Sequence, residues 1–338
     1  MSNFSIIIAH RNEDYLWYVI NALIKDIDFT GHEILIIDDF SEFPVKVNQT
    51  LYPMVKVVTA SRQVGVGTIF EIGIRQAKYE NIILMGADVI VGDSTYLQKA
   101  EDYILNYPES IGCSTCISLS PTHLDPAKPS NDLVRYGATL LPMARKEDLR
   151  SDNDLLLEAS YRVDIFEPRW IQKVPAEPVA EVPVVYGAFY ITTKSFMLKT
   201  RMWDGYHRAW GNLESWLSLK VWLMGGRCHV LRDLVTGHIF GKFTERSPHG
   251  RVDYFWRSKF FVAYTMLDEE ERTKLLSSLE KQRLEYECYM KAYWMGLKMI
   301  KNNMEFVNAT RRLNEKEFVH DFGWYCEKFG IERTYLCQ

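Results

Sequence analysis

No stretch of this 338-residue chain stays apolar for long enough to cross a bilayer. The N-terminus has no basic n-region and no small-residue cleavage site, and its apolar run Ile6–Ala9 is too short for a signal core, so a cytoplasmic location is expected. Cysteine is sparse. Six residues, at 113, 116, 228, 288, 326 and 337, fall far short of a disulfide scaffold and point to a reduced compartment. A dominant charge of one sign is missing as well: a net charge of −4 gives no general attraction to polyanions, although a local basic groove is compatible with it. There is no internal repeat, no low-complexity tract, and no glycine-rich triphosphate loop with a following lysine near the first strand, which argues against a nucleotidyltransferase. What the chain has is core: 47% of its residues are hydrophobic and 13% aromatic, enough for one large domain or two closely joined ones.

The first 120 residues alternate between strand and helix patterns. Strands are predicted at 4–9, 33–38, 54–59, 81–86 and 111–119. Helices are predicted from near Asp14, over about 68–78 and over about 95–106, with a short turn around 44–50. That rhythm implies right-handed βαβ units and an α/β fold with a mostly parallel sheet. Residues 120–182 lose it. Prolines 121, 126, 129, 142, 168, 175 and 178 punctuate an irregular insertion that either faces an acceptor or is merely loose surface. Regular structure resumes at Val184–Ile191, followed by helices near 193–200 and 211–224 and strands near 226–232 and 235–240. From about 252 the pattern is helical, and its aromatic stripe over 286–300 reads as helix packing. Residues 1–265 are therefore expected to form the main domain and 266–338 a C-terminal helical region.

Chemistry gathers at strand ends. The run Glu33-Ile34-Leu35-Ile36-Ile37 ends in Asp38-Asp39-Phe40-Ser41, and Phe4–Ala9 runs into His10-Arg11-Asn12-Glu13-Asp14. Buried parallel strands look like this where their C-terminal ends open onto a ligand crevice. A carboxylate there can accept a hydrogen bond from a nucleobase N–H, although paired aspartates also serve simply as turn or capping residues. Gly65 and Gly67 allow a tight turn into a helix whose N-terminus favours an anion. Cys113-Ser114-Thr115-Cys116 is a lone C-x-x-C inside a strand pattern and reads as core packing rather than a zinc site.

Taken in order, His10-Arg11-Asn12-Glu13, Ile37–Ser41, Gly86-Ala87-Asp88, Trp210-Gly211 with Glu214, Gly225-Gly226 and Gly237-His238-Ile239-Phe240 resemble the GT-A nucleotide-sugar glycosyltransferases. The likeness is to the catalytic core of the polypeptide N-acetylgalactosaminyltransferases and their bacterial relatives. It covers about residues 3–120 and 184–265, and nothing after about 270 resembles a lectin domain. The resemblance implies a GT-A fold and transfer from a UDP-sugar to an acceptor hydroxyl on a saccharide or glycoconjugate. It makes Ala9, His10, Asp38, Asp39, Arg62, Asp88 and Arg251 donor-binding residues, with Asp39 favoured for the uracil N3–H. Asp88 and His238 become ligands of Mn2+ or Mg2+. Glu214 becomes the base or acceptor-orienting acid, with Asp204 a weaker candidate at the acceptor. Lys242, Arg246, His249 and Arg251 would form a basic lid.

This chain departs from the family pattern in two places, one being the acidic pair after Gly211, which is reduced here to Asn212-Leu213-Glu214. Glycine stands at 86, where the family has its first acid, so one hard donor is lost and metal dependence is in question; Asp93 is a conceivable substitute. A histidine such as His238 is more often structural than a ligand, and Glu214 could simply complement a helix dipole. Two alternatives follow. The chain could be a virus-type transferase acting on hydroxymethylated DNA bases, with Arg251, Tyr254, Trp256, Arg257 and Lys259 as a strand-binding patch. It could also be a catalytically silent nucleotide-sugar binding module.

Overall fold

A computed structural model describes residues 2–126, 134–143, 165–201, 213–240, 252–283 and 290–333. The chain divides into two compact units, the first comprising Met1–Ala138, Trp170–Arg208 and Gly226–Ser247, the second Thr139–Arg169, Ala209–Gly225 and Pro248–Gln338.

The first unit is a sheet flanked by helices. Its strands are β1 (Phe4–His10), β2 (Glu33–Asp38), β3 (Val55–Thr59), β4 (Asn81–Gly86), β5 (Val89–Val91), β6 (Ser110–Leu119), β7 (Val134–Arg135), β10 (Val179–Glu181), β11 (Phe189–Thr193) and β12 (Arg227–Ile239), whereas β8 (Ala138–Met143) and β9 (Ile165–Trp170) form a separate two-stranded ribbon. The order across the sheet is β10-β12-β6-β11-β4-β1-β2-β3, with β5 added to β12 and β7 to β6. Strands β1 and β2 are almost wholly buried, which is why they read as unbroken branched-apolar runs rather than as an alternation. Helix α1 (Leu16–Ile24) buries Leu16, Val19, Ile20 and Leu23, and α2 (Val66–Gln76) buries Ile69, Phe70 and Ile74. Helix α3 (Tyr96–Asn106) buries Tyr96, Leu97, Ala100, Tyr103 and Ile104. The side chains of α1 and α3 join Ile6, Ile8, Ile34, Ile36, Ile83 and Met85 in one core, whereas α2 lies by Ile7 and Ile37, the alternate residues of β1 and β2.

The α/β class and the parallel run β3-β2-β1-β4 follow the sequence pattern. The other half of the sheet is mixed: β11 is antiparallel to both β4 and β6, while β12 is parallel to β6. Three expectations need correction. The strand predicted over 184–191 begins only at Phe189, because Gly187 (φ 118°) and Ala188 (φ 59°) turn the chain out of extended geometry. The strands predicted at 226–232 and 235–240 are one strand with a register shift between Leu231 and Val235. Polar Arg232 and Asp233 look like a turn, but the hydroxyl of Thr115 donates to the Arg232 carbonyl at 2.8 Å and Lys99 donates to that of Asp233 at 2.7 Å, so the bulge is tied in place. The insertion expected to be irregular contains β7 to β10, of which β7 and β10, with two and three residues, are too short to leave a periodic signal.

The second unit contains the ribbon and helix α5 (Leu213–Leu223), with α6 (Val252–Met266), α7 (Glu269–Arg283), α8 (Met290–Lys301), α9 (Met304–Glu317) and α10 (Phe322–Phe329) following. Aromatic rings fill it: Trp216 stacks on Phe261 at 6.0 Å, Trp222 meets Phe329 edge-on at 5.0 Å, and Phe166 meets Phe322 edge-on at 5.9 Å. Tyr293, from the aromatic stripe, packs on Trp256 and Phe260, each at 5.1 Å. The remaining helix, α4 (Lys194–Thr200), belongs to the first unit and is capped by Thr193, whose hydroxyl accepts from the Phe196 N–H.

Candidate donor-binding and metal-ligating site

The parallel ladder brings the C-terminal ends of three strands level. His10 of β1 is in register with Asp38 of β2, and Ala9 with Gly86 of β4. Backbone bonds continue past the strands: Asp39 donates to the His10 carbonyl at 2.9 Å, and Ala87 to that of Ala9 at 3.1 Å. The loops after β1 and β2 are then stapled together. Asn12 N–H donates to Ser41 Oγ at 3.0 Å and Glu42 N–H to Asn12 Oδ1 at 2.9 Å, with Asn12 (φ 52°) and Phe40 (φ 58°) both in left-handed geometry. A bulky side chain rarely adopts that conformation, so Phe40 marks local strain at the strand ends. Its ring is 54% exposed there.

The two aspartates have different surroundings. Asp38 is fully buried: Oδ1 accepts from the Ser41 hydroxyl, and Oδ2 has no hydrogen-bond partner. Asp39, 2% exposed, accepts from the Val64 N–H at 2.6 Å and the Gly65 N–H at 3.0 Å, one on each oxygen. It therefore holds the end of the β3–α2 loop, where Gly65 (φ 87°) takes a conformation closed to most side chains. Each oxygen retains a lone pair for a further donor. Arg62 lies exposed on the same loop. His10 is buried, and burial, which outweighs the attraction of Asp38, pulls its pKa below the ordinary histidine value. Its Nδ1 and the Nη1 of Arg11 are further buried polar atoms without a partner.

The second cluster arises from the β5–β12 ladder. His238 pairs with Val89, and Ile239 N–H donates to the Asp88 carbonyl at 2.9 Å, which places the His238 and Asp88 side chains together. Nε2 and Oδ2 are 3.7 Å apart, too far for a good hydrogen bond, and the side chains are 17% and 27% exposed. His238 Nδ1 is buried without a partner, and its ring packs on Phe240 at 4.2 Å. The glycine at 86 has a local reason. A Cβ there would sit 2.5 Å from Asp88 Oδ1, so the Asp88 carboxylate occupies the space that a first acid would need. Asp93 is not a substitute, because it accepts from Thr95 N–H at 2.8 Å and binds Lys99 at 2.5 Å at the start of α3.

Sequence reasoning missed Arg135. It lies in the insertion, where no periodicity singles out a strand, yet on β7 it faces Cys116 of β6. Its guanidinium donates to Ser118 Oγ at 2.5 Å and lies over the rings of Trp170 at 5.2 Å and Phe240 at 5.1 Å. Cys113 and Cys116 are buried free thiols, each pushed up to about 12 chiefly by burial.

Glu214 lies in the first turn of α5, in the second unit. Asp204, Trp210, Lys242, Arg246, His249 and Arg251 fall outside the described residues. Three residues of the expected strand-binding patch are buried. Trp256, Arg257 and Lys259 are 6%, 7% and 1% exposed, and Lys259 is paired with Glu167, because α6 packs as a core helix.

Residues 5–158 match the family model for Glycosyl transferase family 2. Polypeptide N-acetylgalactosaminyltransferase 16 of Mus musculus is 21% identical over 239 residues, which are 70% of this chain and 40% of that protein. Putative polypeptide N-acetylgalactosaminyltransferase 9 of Drosophila melanogaster is 22% identical over 335 residues, 97% of this chain and 46% of that protein. The chain thus spans less than half the length of these curated relatives. Among solved structures, GalNAc-T7 with UDP, GalNAc and Mn2+ is similar at a TM-score of 0.57 and 16% identity, covering 90% of this chain and 57% of that one. The match to the Glycosyl transferase family 2 model spans residues 5–158, and the chain has a GT-A fold resembling the catalytic core of the polypeptide N-acetylgalactosaminyltransferases.

Proposed function

We propose that this protein is a glycosyltransferase that moves a sugar from a UDP-sugar to an acceptor hydroxyl of a saccharide or glycoconjugate. The observation that carries the reading is the pair Asp88 and His238, 3.7 Å apart and partly open to solvent. An imidazole nitrogen beside a carboxylate oxygen suits Mn2+ better than Mg2+, whose ligands are oxygens. The unpartnered, partly solvated pair fits such an ion, and no group of three or more His, Cys, Asp or Glu converges among the described residues. Two protein ligands would leave the remaining positions to diphosphate oxygens and water, and the ion would neutralise charge on the departing nucleotide.

Asp39 keeps the β3–α2 loop closed and offers its remaining lone pairs to the uracil N3–H, with Ala9, His10 and Asp38 shaping the floor and Arg62 at the rim. Glu214 is the proposed base that takes the acceptor proton. The domain match and the relatives named as transferases support this reading over a silent module, and the burial of α6 removes the observation that favoured DNA. Among the described residues no helix is long and apolar enough to cross a membrane. Among the described residues Cys113, Cys116 and Cys326 are buried thiols outside any disulfide, which fits a reducing compartment such as the cytoplasm.

The test is UDP release across UDP-hexoses and UDP-pentoses, with and without candidate acceptors, repeated in EDTA. Acceptor-stimulated release that EDTA suppresses is the expected result. Binding of UDP with no turnover of any donor would leave the silent module, and no binding of UDP at all would end the nucleotide-sugar reading.

A further inference from the structure

Arg135 carries a positive charge that no carboxylate among the described residues pairs with. The guanidinium is half-buried, donates to Ser118 Oγ at 2.5 Å, lies beside the Cys116 sulfur, and is held between the Trp170 and Phe240 rings. These contacts fix its direction without neutralising it. A guanidinium has five N–H donors in a planar fork, so most of the fork is left for another partner. A partly desolvated cation lacking a counter-ion is unfavourable, and an incoming anion relieves that cost.

The neighbours indicate which anion. On β6, Cys116 and Ser118 point to one face of the sheet as alternate residues. Arg135 opposes Cys116 from β7 on one edge, and His238 pairs with Ser118 from β12 on the other. Phe240 joins the two, 4.2 Å from the His238 ring and 5.1 Å from the Arg135 guanidinium carbon. A row of polar groups, Arg135, Ser118, His238 and Asp88, therefore crosses the sheet face, with a fixed cation at one end and the candidate metal pair at the other. A diphosphate presents anionic oxygens in two directions and matches such a row.

We propose that Arg135 is an anion-binding residue of the donor site, taking the sugar-bearing phosphate of a nucleoside diphosphate from the side opposite Asp88 and His238. The inference rests on the nucleotide-sugar reading above. Bidentate contact from a preorganised guanidinium is the strong form of phosphate recognition.

Calorimetric titration of the full chain in EDTA with uridine, UMP and UDP tests it without any metal contribution. Arg135→Gln is expected to weaken UDP by roughly 10- to 100-fold while leaving uridine unchanged. Arg135→Lys, which keeps the charge and loses the fork, is expected to fall between the two. Equal UDP affinity in wild type and Arg135→Gln overturns this inference alone. So does an equal loss for uridine and UDP in both variants, since a folding defect would then account for it. Wild-type protein that binds none of the three, either in EDTA or with Mn2+ added, overturns the nucleotide-sugar reading, and this inference with it.

Discussion

Asp39 does two things with one carboxylate: it closes the Val64–Gly65 turn, and it is the residue proposed to receive the uracil edge. Asp39→Asn keeps one acceptor and turns an NH2 toward one of the two N–H donors, leaving that donor unsatisfied in a buried place. Denaturant unfolding is expected to show a loss of about 1–3 kcal/mol, and UDP affinity should fall with it. Gly86 is legible in the sequence only as a missing acid; its reason is steric. Gly86→Asp puts a Cβ where Asp88 Oδ1 now lies. Restoring the family pattern in this way is expected to lower donor turnover at least about tenfold, because Asp88 is displaced. His10 carries a pH signature. Its pKa is lowered on folding, chiefly by burial, so the unfolded chain binds the proton more readily. The stability this residue contributes is full above the unfolded value of 6.5 and is lost as the pH falls from there toward the lowered folded value. His32, also lowered chiefly by burial, acts in the same direction. Melting temperatures are expected to drop between about pH 7.5 and 5.5, and His10→Gln should flatten part of that slope.

At the level of elements, β12 places His238, and its neighbours leave little room. A Cβ on Gly237 would meet Leu119 Cδ1 at 2.3 Å and Cγ at 2.6 Å. Gly237→Ala is expected to cost about 1–3 kcal/mol by overpacking and to weaken Mn2+ binding through displacement of His238, measurable by thermal unfolding and by metal titration. Strands β1, β2 and β4 were legible because both faces are buried and the apolar run is continuous. The elements that escaped, β5 and β7, have three and two residues and take their extended form from the ladders with β12 and β6. Arg135 was missed for that reason: without β7 there is nothing to place it. The basic and aromatic residues of α6 misled in the opposite way. Lys259 and Arg257 read as a solvated patch, yet both are buried and Lys259 is paired with Glu167.

Across the whole molecule, the described residues proposed for the donor lie in the first unit, whereas Glu214 lies in the second. Their roles should therefore separate. Glu214→Gln is expected to leave UDP affinity unchanged and to reduce turnover by roughly 10²- to 10⁴-fold, the range for loss of a general base. Titration of UDP beside steady-state UDP release distinguishes this from a structural effect, which would move both. The sequence by itself determined the α/β class, the parallel run from β1 to β4 and the level strand ends at His10, Asp38 and Gly86, because burial dictates residue type locally along each strand. Only the tertiary structure decided that Asp88 meets His238, that Asp39 is tied to a loop and that Arg135 stands beside them. The meeting of Asp88 with His238, and of that pair with Arg135, depends on β12 pairing with β5 and β6, more than a hundred residues away, and no local pattern records which strand will lie beside which.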